Sequence, residues 1–532
     1  MALTVANIQG SALRFGVLYS GAALEAWQVR CLEDLASVAE VSAAACFSPE
    51  GLRVPLPVLD PDAPHIPVSL SAARPPGPAQ TAVLPSTSLA RAQGLQLDFV
   101  LSFCDGAVST EFLDIPRLGV WRFQFGDWTR YRGAPGGFWE VYDACATSAA
   151  MLVRVHADPD VVTVLRELHL RTPVLSPHKN RRRLAEGLVH CPAQVCRELQ
   201  RGVRDASGPL LRSSARVRRP PTRAQRLVAG ARIGARAVST GLRSFFRHDQ
   251  WNVGIVDRPI AEFLTLKGPA PVRWLPATPR AEFRADPFGM TVAGKPTILC
   301  EYYSYKDDRG FIVATDPEAT GPHTRVHIGP EPPVHLSYPY LFEHEGRLFC
   351  VPESSAAREI TVFEAERFPD RWKKVATLVT GRGFADASLF QHDGRWWLAA
   401  SDVADHGANS ELHLWFATDP SGVWQPHPGN PVKIDVRSSR PGGTPFRAGG
   451  ELYRPAQDCS STYGARIVIN RVVELTPTTF REEVAATVDP DPRGPYPQGL
   501  HTLSAMGQQT LIDGKRHVFA AAQMFRVLRH YL

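Results

Sequence analysis

Short apolar runs punctuate the first third of the chain, each closed by a turn and followed by a stretch with apolar residues at helical spacing. "LRFGVLYSG", from Leu13 to Gly21, is one such run, and "ALEAWQVRCLEDLASV" behind it sets Leu, Trp and Val on one face. "VAEVSAAACFS" and "LDFVLSFCDG" read as further buried strands, and "TEFLDIPRLG" as a short helix between strands. Such alternation predicts an α/β domain of Rossmann type with a parallel sheet, its ligands beyond the carboxyl ends of the strands. The Gly-rich dinucleotide fingerprint is missing from these turns, which argues against a nicotinamide cofactor.

From Trp251 the pattern changes to brief aromatic and β-branched runs between turns, and it repeats. A Gly, a polar residue and a strand recur in "VAGKPTILCEYY", "HEGRLFCVPES", "HDGRWWLAASD", "AGGELYRPAQD" and "IDGKRHVFAAA". The glycines, Gly294, Gly346, Gly394, Gly450 and Gly514, are spaced by 52, 48, 56 and 64 residues. A unit of this length with about four strands cannot bury both faces of its own sheet, so the units must stack around an axis. The reading is a five-bladed β-propeller, with "WNVGIVDRPIAEFL" supplying an outer strand to the last blade.

Composition fits a multidomain globular chain: 532 residues exceed one core, and 44% hydrophobic against 21% charged residues excludes wholesale disorder. Charge redraws the middle. Residues 171–250 hold 18 Arg and Lys against 4 Asp and Glu, a balance of +14, so the rest carries −8 within the total of +6. The expected division is therefore an α/β domain over 1–175, a basic, partly helical linker over 176–250 and the propeller over 251–532. Inside the linker, residues 222–247 form a basic amphipathic pattern whose readings are a solvated helix or peripheral contact with an anionic membrane. No aromatic-interleaved basic platform accompanies it, so nucleic acid is not an expected partner. The opening residues lack a basic region followed by an apolar one, and a cytoplasmic address is the expectation, with the membrane surface as the alternative. Nine cysteines without a second close pair beside Cys191 and Cys196 predict free thiols and no metal site.

The order "LDFVLSF…FLDIPRLGVWRF…RYRGAPGGFWEVYD" resembles the formyltransferase fold of methionyl-tRNA formyltransferase and the sugar N-formyltransferases. The resemblance implies a site built from an Asn, a His two residues later and a distant Asp, acting on 10-formyltetrahydrofolate. In this chain those positions hold Arg122, Gln124 and, for the Asp, Asp158. Gln cannot shuttle a proton near neutral pH, so the site reads as rewritten, and the folate is expected only if the domain is active.

In the repeats, Asp286, Tyr338 and Asp386 stand eight residues before their Gly, and Glu301, Glu353, Asp402 and Asp458 seven or eight after it. Carboxylates gathered there would shift one another's pKa values and permit acid and base roles. The run "ADPF…HLSYPYLFEHEGRLFCVPESS…FADASLFQHDGRWWLAASD…RPAQDCS" resembles the N-terminal propeller of plant glucosamine inositolphosphorylceramide transferase. It is more distantly similar to five-bladed furanosidases of the arabinanase and xylosidase clan, glycosyl hydrolase family 43 among them. The second likeness implies a base at Asp286, an acid at Glu353 and a pKa-tuning Asp at Asp386. Arg454, Asp458, Tyr338, His335 and Glu301 are the expected sugar-binding residues, with Arg454 a bidentate clamp for carboxylate or phosphate. Three functions stay open: glycosyl transfer or cleavage on a sugar, sugar nucleotide or glycolipid during surface-glycan assembly; N-formyl transfer to a sugar; and a non-catalytic glycan-binding scaffold.

Overall fold

The computed structural model describes residues 12–519 apart from 22, 39, 50–63, 73–79, 84, 105–106, 134, 204–207, 319–322 and 405–408. The chain divides into two compact units, Met1–Arg236 and Ala237–Leu532, with the division inside the helix Arg223–Phe246. The third glycine-containing unit of the repeat and the tail of "IDGKRHVFAAA" thus touch undescribed residues only at 405–408 and from 520 onward.

In the first unit Leu13–Leu18 lies at the sheet centre. Val41–Pro49 and His65–Ala72 follow in parallel on one side, Phe99–Ser102 and Val120–Phe125 on the other. Beyond Val120–Phe125 the sheet turns antiparallel through Thr147–Val155, Val161–Arg171 and Leu210–Arg212. The central strands are mostly apolar because both their faces are covered, and all of Phe99–Ser102 is buried. The helix Ala26–Ala36 starts at a reciprocal cap, Glu25 N donating to Gln28 Oε1 at 2.8 Å, and turns Trp27, Cys31, Leu32 and Leu35 inward.

The aromatic-rich segment after Gly119 is mostly core. Trp121 stacks on Phe99 at 4.0 Å and Phe99 on Phe15 at 5.4 Å, while Trp27 meets Phe123 and Phe125 edge-on. Its Tyr-Arg-Gly turn is a brace: Arg132 donates to Ser213 O at 3.0 Å and Pro159 O at 2.8 Å and pairs with Asp160 at 2.6 Å. Gly133 has φ +90°, and a Cβ there would stand 2.3 Å from Arg218 O.

The linker expectation needs correction. Pro177–Leu188 and Cys191–Gln200 are helices that bury Leu184, Leu188, Val195, Cys196 and Leu199 within the first unit, and Leu210–Arg212 extends its sheet. Charge reports the solvent face of these helices and says nothing of the apolar face beneath. None of the nine cysteines forms a disulfide.

The second unit is built of five sheets. Blades one to four begin at Glu282–Val292, Ser337–His344, Phe384–His392 and Phe446–Ala448, and each continues outward through successive antiparallel strands. The fifth runs from Leu503–Met506 through Gln509–Phe519 to Arg247–Val256 and Arg273–Trp274. Strand Arg247–Val256 pairs with Gln509–Phe519 from Arg247↔Phe519 to Val256↔Thr510, so residues distant in sequence close the ring. The inner hairpins of blades one to four turn on Ala293-Gly294, Glu345-Gly346, Asp393-Gly394 and Gly449-Gly450, each pair with positive φ at both residues. That is the two-residue turn matching the twist of the flanking strands. The fifth repeat was misplaced by its Gly: the hairpin turns at Gly507, φ +62°, whereas Gly514 lies inside a strand against Trp274. An exposed alanine at φ +49° is an unfavourable turn residue, so Ala293→Asn should stabilise the protein by about 0.5–1 kcal/mol. A urea midpoint that does not rise would refute this.

Candidate active site at the propeller axis

In blades one to three the first hairpin slips register at the same place, between Ala285 and Phe288, Ser337 and Tyr340, and Ala385 and Ser388. The first inserted residue is Asp286, Tyr338 or Asp386, at φ +51°, +42° and +56°. A left-handed non-glycine residue in a bulge is strained, and bulges of this kind re-aim a side chain. All three side chains are buried. The preceding residues fix the partners across the hairpin: Ala285 faces Glu301, Ser337 faces Glu353 and Ala385 faces Ser401.

Two hydrogen-bonded groups result. In the first, Thr502 Oγ1 donates to Asp286 Oδ1 at 3.0 Å, and the Asp286 N–H donates to Asp513 Oδ2 at 3.2 Å. Asp513 also accepts the His501 and Thr502 N–H groups at 2.9 and 3.0 Å and meets His501 Nδ1 at 2.5 Å. His501 Nε2 stands 3.6 Å from Asp286 Oδ1, and the imidazole stacks on Trp251 at 3.9 Å. In the second, Arg440 donates Nε and Nη2 to Asp386 at 2.5 and 3.2 Å, and Gln457 Nε2 donates to Asp386 Oδ2 at 2.5 Å. The same guanidinium reaches Asn409 Oδ1 at 2.9 Å and Tyr463 OH at 3.3 Å and stands 3.8 Å from Glu353.

Burial governs the electrostatics. It pushes the Asp286 carboxyl up to about 6, against the pull of His501 and with the push of Asp386 and Asp513. It pushes Asp386 up to about 7, Arg440 opposing and Glu353 adding to the rise. Glu301, buried among Asp286, Glu353, Asp386 and Asp513, is raised well above the usual carboxylate range. Burial alone would raise Asp513 and lower His501, yet their mutual attraction reverses both shifts. His335 accepts the Gly310 N–H at Nδ1, 2.9 Å, and sets Nε2 3.3 Å from Glu301; burial lowers its pKa and favours the neutral ring.

Asp286, Glu301, Glu353, Asp386 and His335 thus belong to one network of mutually interacting groups. The other expected residues do not join it as ligand-facing groups. Tyr338 OH donates to Gly443 O at 3.2 Å and accepts the Gly443 N–H at 2.6 Å, tying blades rather than facing a ligand. Arg454 is buried in a bidentate pair with Glu482 at 3.0 and 2.6 Å and also donates to Ser438 O and Ser439 O. Asp458 accepts from Ser460 N and faces Arg466, and Asp402 accepts from Ala404 N and pairs with Arg382. Each lies one residue past the inward position, which Gln457 and Ser401 hold, and one step along a strand reverses the face. Arg440, His501, Thr502, Asp513, Tyr463 and Asn409 escaped the sequence reading; Asp513 lay inside the quoted "IDGKRHVF", hidden by its misplaced glycine. Asp286, His501 and Asp513 offer ligand atoms within 4.8 Å of one another, as do Asp402, Glu411 and His413, so either trio has a cation-binding donor set.

In the first unit Arg122 and Gln124 line a small open cleft with Phe123, Phe125, Gly133, Gly136 and Arg181. Asp158 is not among its lining residues: it is half-exposed, accepting from Asp160 N and pairing with Arg212 at 2.9 Å. Of the three positions expected from the formyltransferase resemblance, Arg122 and Gln124 line this cleft and Asp158 does not.

Comparison with known proteins places a similarity on the propeller. Residues 277–497 match the family model described as "Glucosamine inositolphosphorylceramide transferase 1, N-terminal". Glucosamine inositolphosphorylceramide transferase 1 of Oryza sativa subsp. japonica is 39% identical over 210 residues, 38% of this chain and 28% of that protein. Its Arabidopsis thaliana counterpart is 34% identical over 165 residues, 30% of this chain and 21% of that protein. A family 117 glycoside hydrolase of Zobellia galactanivorans superposes with TM-score 0.33 and 14% identity, covering 51% of this chain and 91% of that one. The chain spans less than a third of the length of the plant relatives it matches, and the similarity falls on the segment that carries Asp286, Glu301, Glu353, Asp386 and Arg440.

Proposed function

We propose that the protein is carbohydrate-active, that its propeller axis takes a sugar unit of a glycolipid or surface-polysaccharide precursor, and that the axial carboxyls carry glycosyl transfer or cleavage. The observation that carries this reading is the meeting of Asp286, Glu301, Glu353 and Asp386, from three blades, in one network, where burial and neighbouring charge raise Asp286, Glu301 and Asp386. The likeness of residues 277–497 to the N-terminal segment of glucosamine inositolphosphorylceramide transferase 1 supports it. Asp286, ionised at neutral pH, draws the proton from an acceptor hydroxyl or a water. The proton donor to the leaving oxygen is Glu301, whose hold on its proton is strengthened by burial and the neighbouring carboxyls; Glu353, in the equivalent position on the next blade and less buried, orients the sugar. Arg440 fixes Asp386, and Arg454, bound by Glu482, has no part in the chemistry.

The α/β unit is proposed as a degenerate formyltransferase-like domain that holds substrate or partner. Arg122 places a fixed charge and Gln124 an amide where proton transfer would be needed, and no formyl transfer from 10-formyltetrahydrofolate is expected.

Calorimetric titration of the full chain with free sugars, glycolipid headgroups and sugar nucleotides tests the reading. One class should bind in the micromolar to millimolar range, and Glu353→Gln should weaken it about tenfold or more. Failure of every class to bind, or binding indifferent to Glu353→Gln and Asp286→Asn alike, would overturn it.

A further inference from the structure

The helix Arg223–Phe246 presents its apolar side to solvent. At 100° per residue, Leu227, Ala231, Val238 and Leu242 fall within an arc of about 60°. Leu227, Val238 and Leu242 are 76%, 64% and 57% exposed, and no atom lies within 4 Å of a Cβ built on Gly230, Gly234 or Gly241. The opposite side is the packed one. Ala229 is buried, Arg236 Nη1 donates to Val141 O at 2.5 Å, Arg232 Nη1 donates to Tyr142 O at 3.3 Å, and the Arg232 guanidinium stacks over the Tyr142 ring at 4.5 Å. A surface helix ordinarily turns its apolar stripe to the core and its charges to water. Here arginines do the packing and the stripe is left outside.

Charge identifies what covers it. The helix holds Arg223, Arg226, Arg232, Arg236 and Arg243 and no Asp, Glu or Lys. Exposed Arg223 lies about 40° from one edge of the stripe, and exposed Arg226 and Arg243 lie about 100° beyond its two edges. A second copy seated on this face would bring two arginine rows together with no acid on either helix to neutralise them. An anionic bilayer surface satisfies both features, because the apolar stripe enters the acyl boundary while the flanking guanidiniums meet phosphate and carboxylate headgroups. We propose that this helix is an in-plane anchor to anionic membrane surfaces. The helix is about 36 Å long and lies along the membrane, since no helix among the described residues is long and apolar enough to cross it. Alanine and glycine make the stripe shallow, so attachment is reversible and needs the negative surface as well as the leucines. The inference goes beyond the reading of the propeller and does not depend on it.

Flotation of the full chain with vesicles free of glycolipid tests it. The protein should float with phosphatidylcholine vesicles containing about one third phosphatidylserine and stay behind with phosphatidylcholine alone. Leu227→Glu with Leu242→Glu should lower partition at least about tenfold, as should Arg223→Gln with Arg226→Gln and Arg243→Gln, and salt should weaken binding of the wild type. These side chains are exposed, so an unchanged near-ultraviolet circular dichroism spectrum should show the variants folded. Asp286→Asn should float like the wild type, which separates failure of the anchor from failure of the axial site. No flotation with anionic vesicles, equal flotation of the Glu variant, or a lipid-independent dimer dissolved by Leu227→Glu would each overturn the proposal.

Discussion

Asp286→Asn should lower turnover by about 10²–10⁴-fold on the sugar that titration selects, with KM little changed. Asparagine keeps the shape and can still accept the Thr502 hydroxyl at the position now 3.0 Å away, so the loss reports proton transfer rather than collapse of the bulge. The wild-type rate should rise with pH through about 6 as the carboxyl ionises, and that limb should vanish in the variant. Stability should move the opposite way. A folded-state pKa raised from about 3.8 to about 6 favours the protonated form in the folded protein, so the contribution of Asp286 is fully present below about 4 and lost as pH rises through 6. The amide escapes that loss, and Asp286→Asn should therefore unfold at higher urea than the wild type at pH 8 and not at pH 4. An inactive variant that is no more stable at pH 8 would mean that Asp286 is an ordinary structural carboxylate. A variant with full turnover would leave only the binding-scaffold reading.

The propeller was legible because its repeat is written in turn chemistry. Positive φ at Gly294, Gly346, Gly394 and Gly450 is a local demand that sequence spacing exposes, and the same spacing located Asp286, Tyr338 and Asp386 at their bulges. Local signals stop at one-residue precision. Choosing Asp402 and Asp458 over Ser401 and Gln457 followed the more reactive residue type, and the pleat put both acids on the wrong face. Gly514 imitated the repeat for another reason, the press of the Trp274 ring. Arg440 and His501 could not be found by period, since Arg440 lies in the loop before blade four and His501 before the closing hairpin, 54 and 215 residues from the Asp386 and Asp286 they serve. In the first unit the buried parallel strands were visible as apolar runs. The helices from Pro177 onward were hidden beneath their basic face.

Arg440→Met should cost about 3–5 kcal/mol of unfolding free energy at pH 8, because it removes the guanidinium that faces buried Asp386 and partly buried Glu353 and leaves Asp386 with the Gln457 amide. Methionine approximates the length of the stem, so most of the loss is electrostatic and should depend on pH. Without the guanidinium, burial and Glu353 push Asp386 higher still, and its folded state prefers the proton over a wider range. The deficit should thus be smaller near pH 5 and grow by about 1.4 kcal/mol between pH 7 and pH 8, whereas that of a cavity is indifferent to pH. Adding Asp386→Asn should recover most of the stability at pH 8, since the amide can neither carry the charge nor repel Glu353. Urea unfolding of the two single variants and the double at both pH values closes the cycle. If the double variant is no more stable than Arg440→Met at pH 8, Arg440 acts by packing on Tyr463, and the charge balance drawn for the axis is wrong.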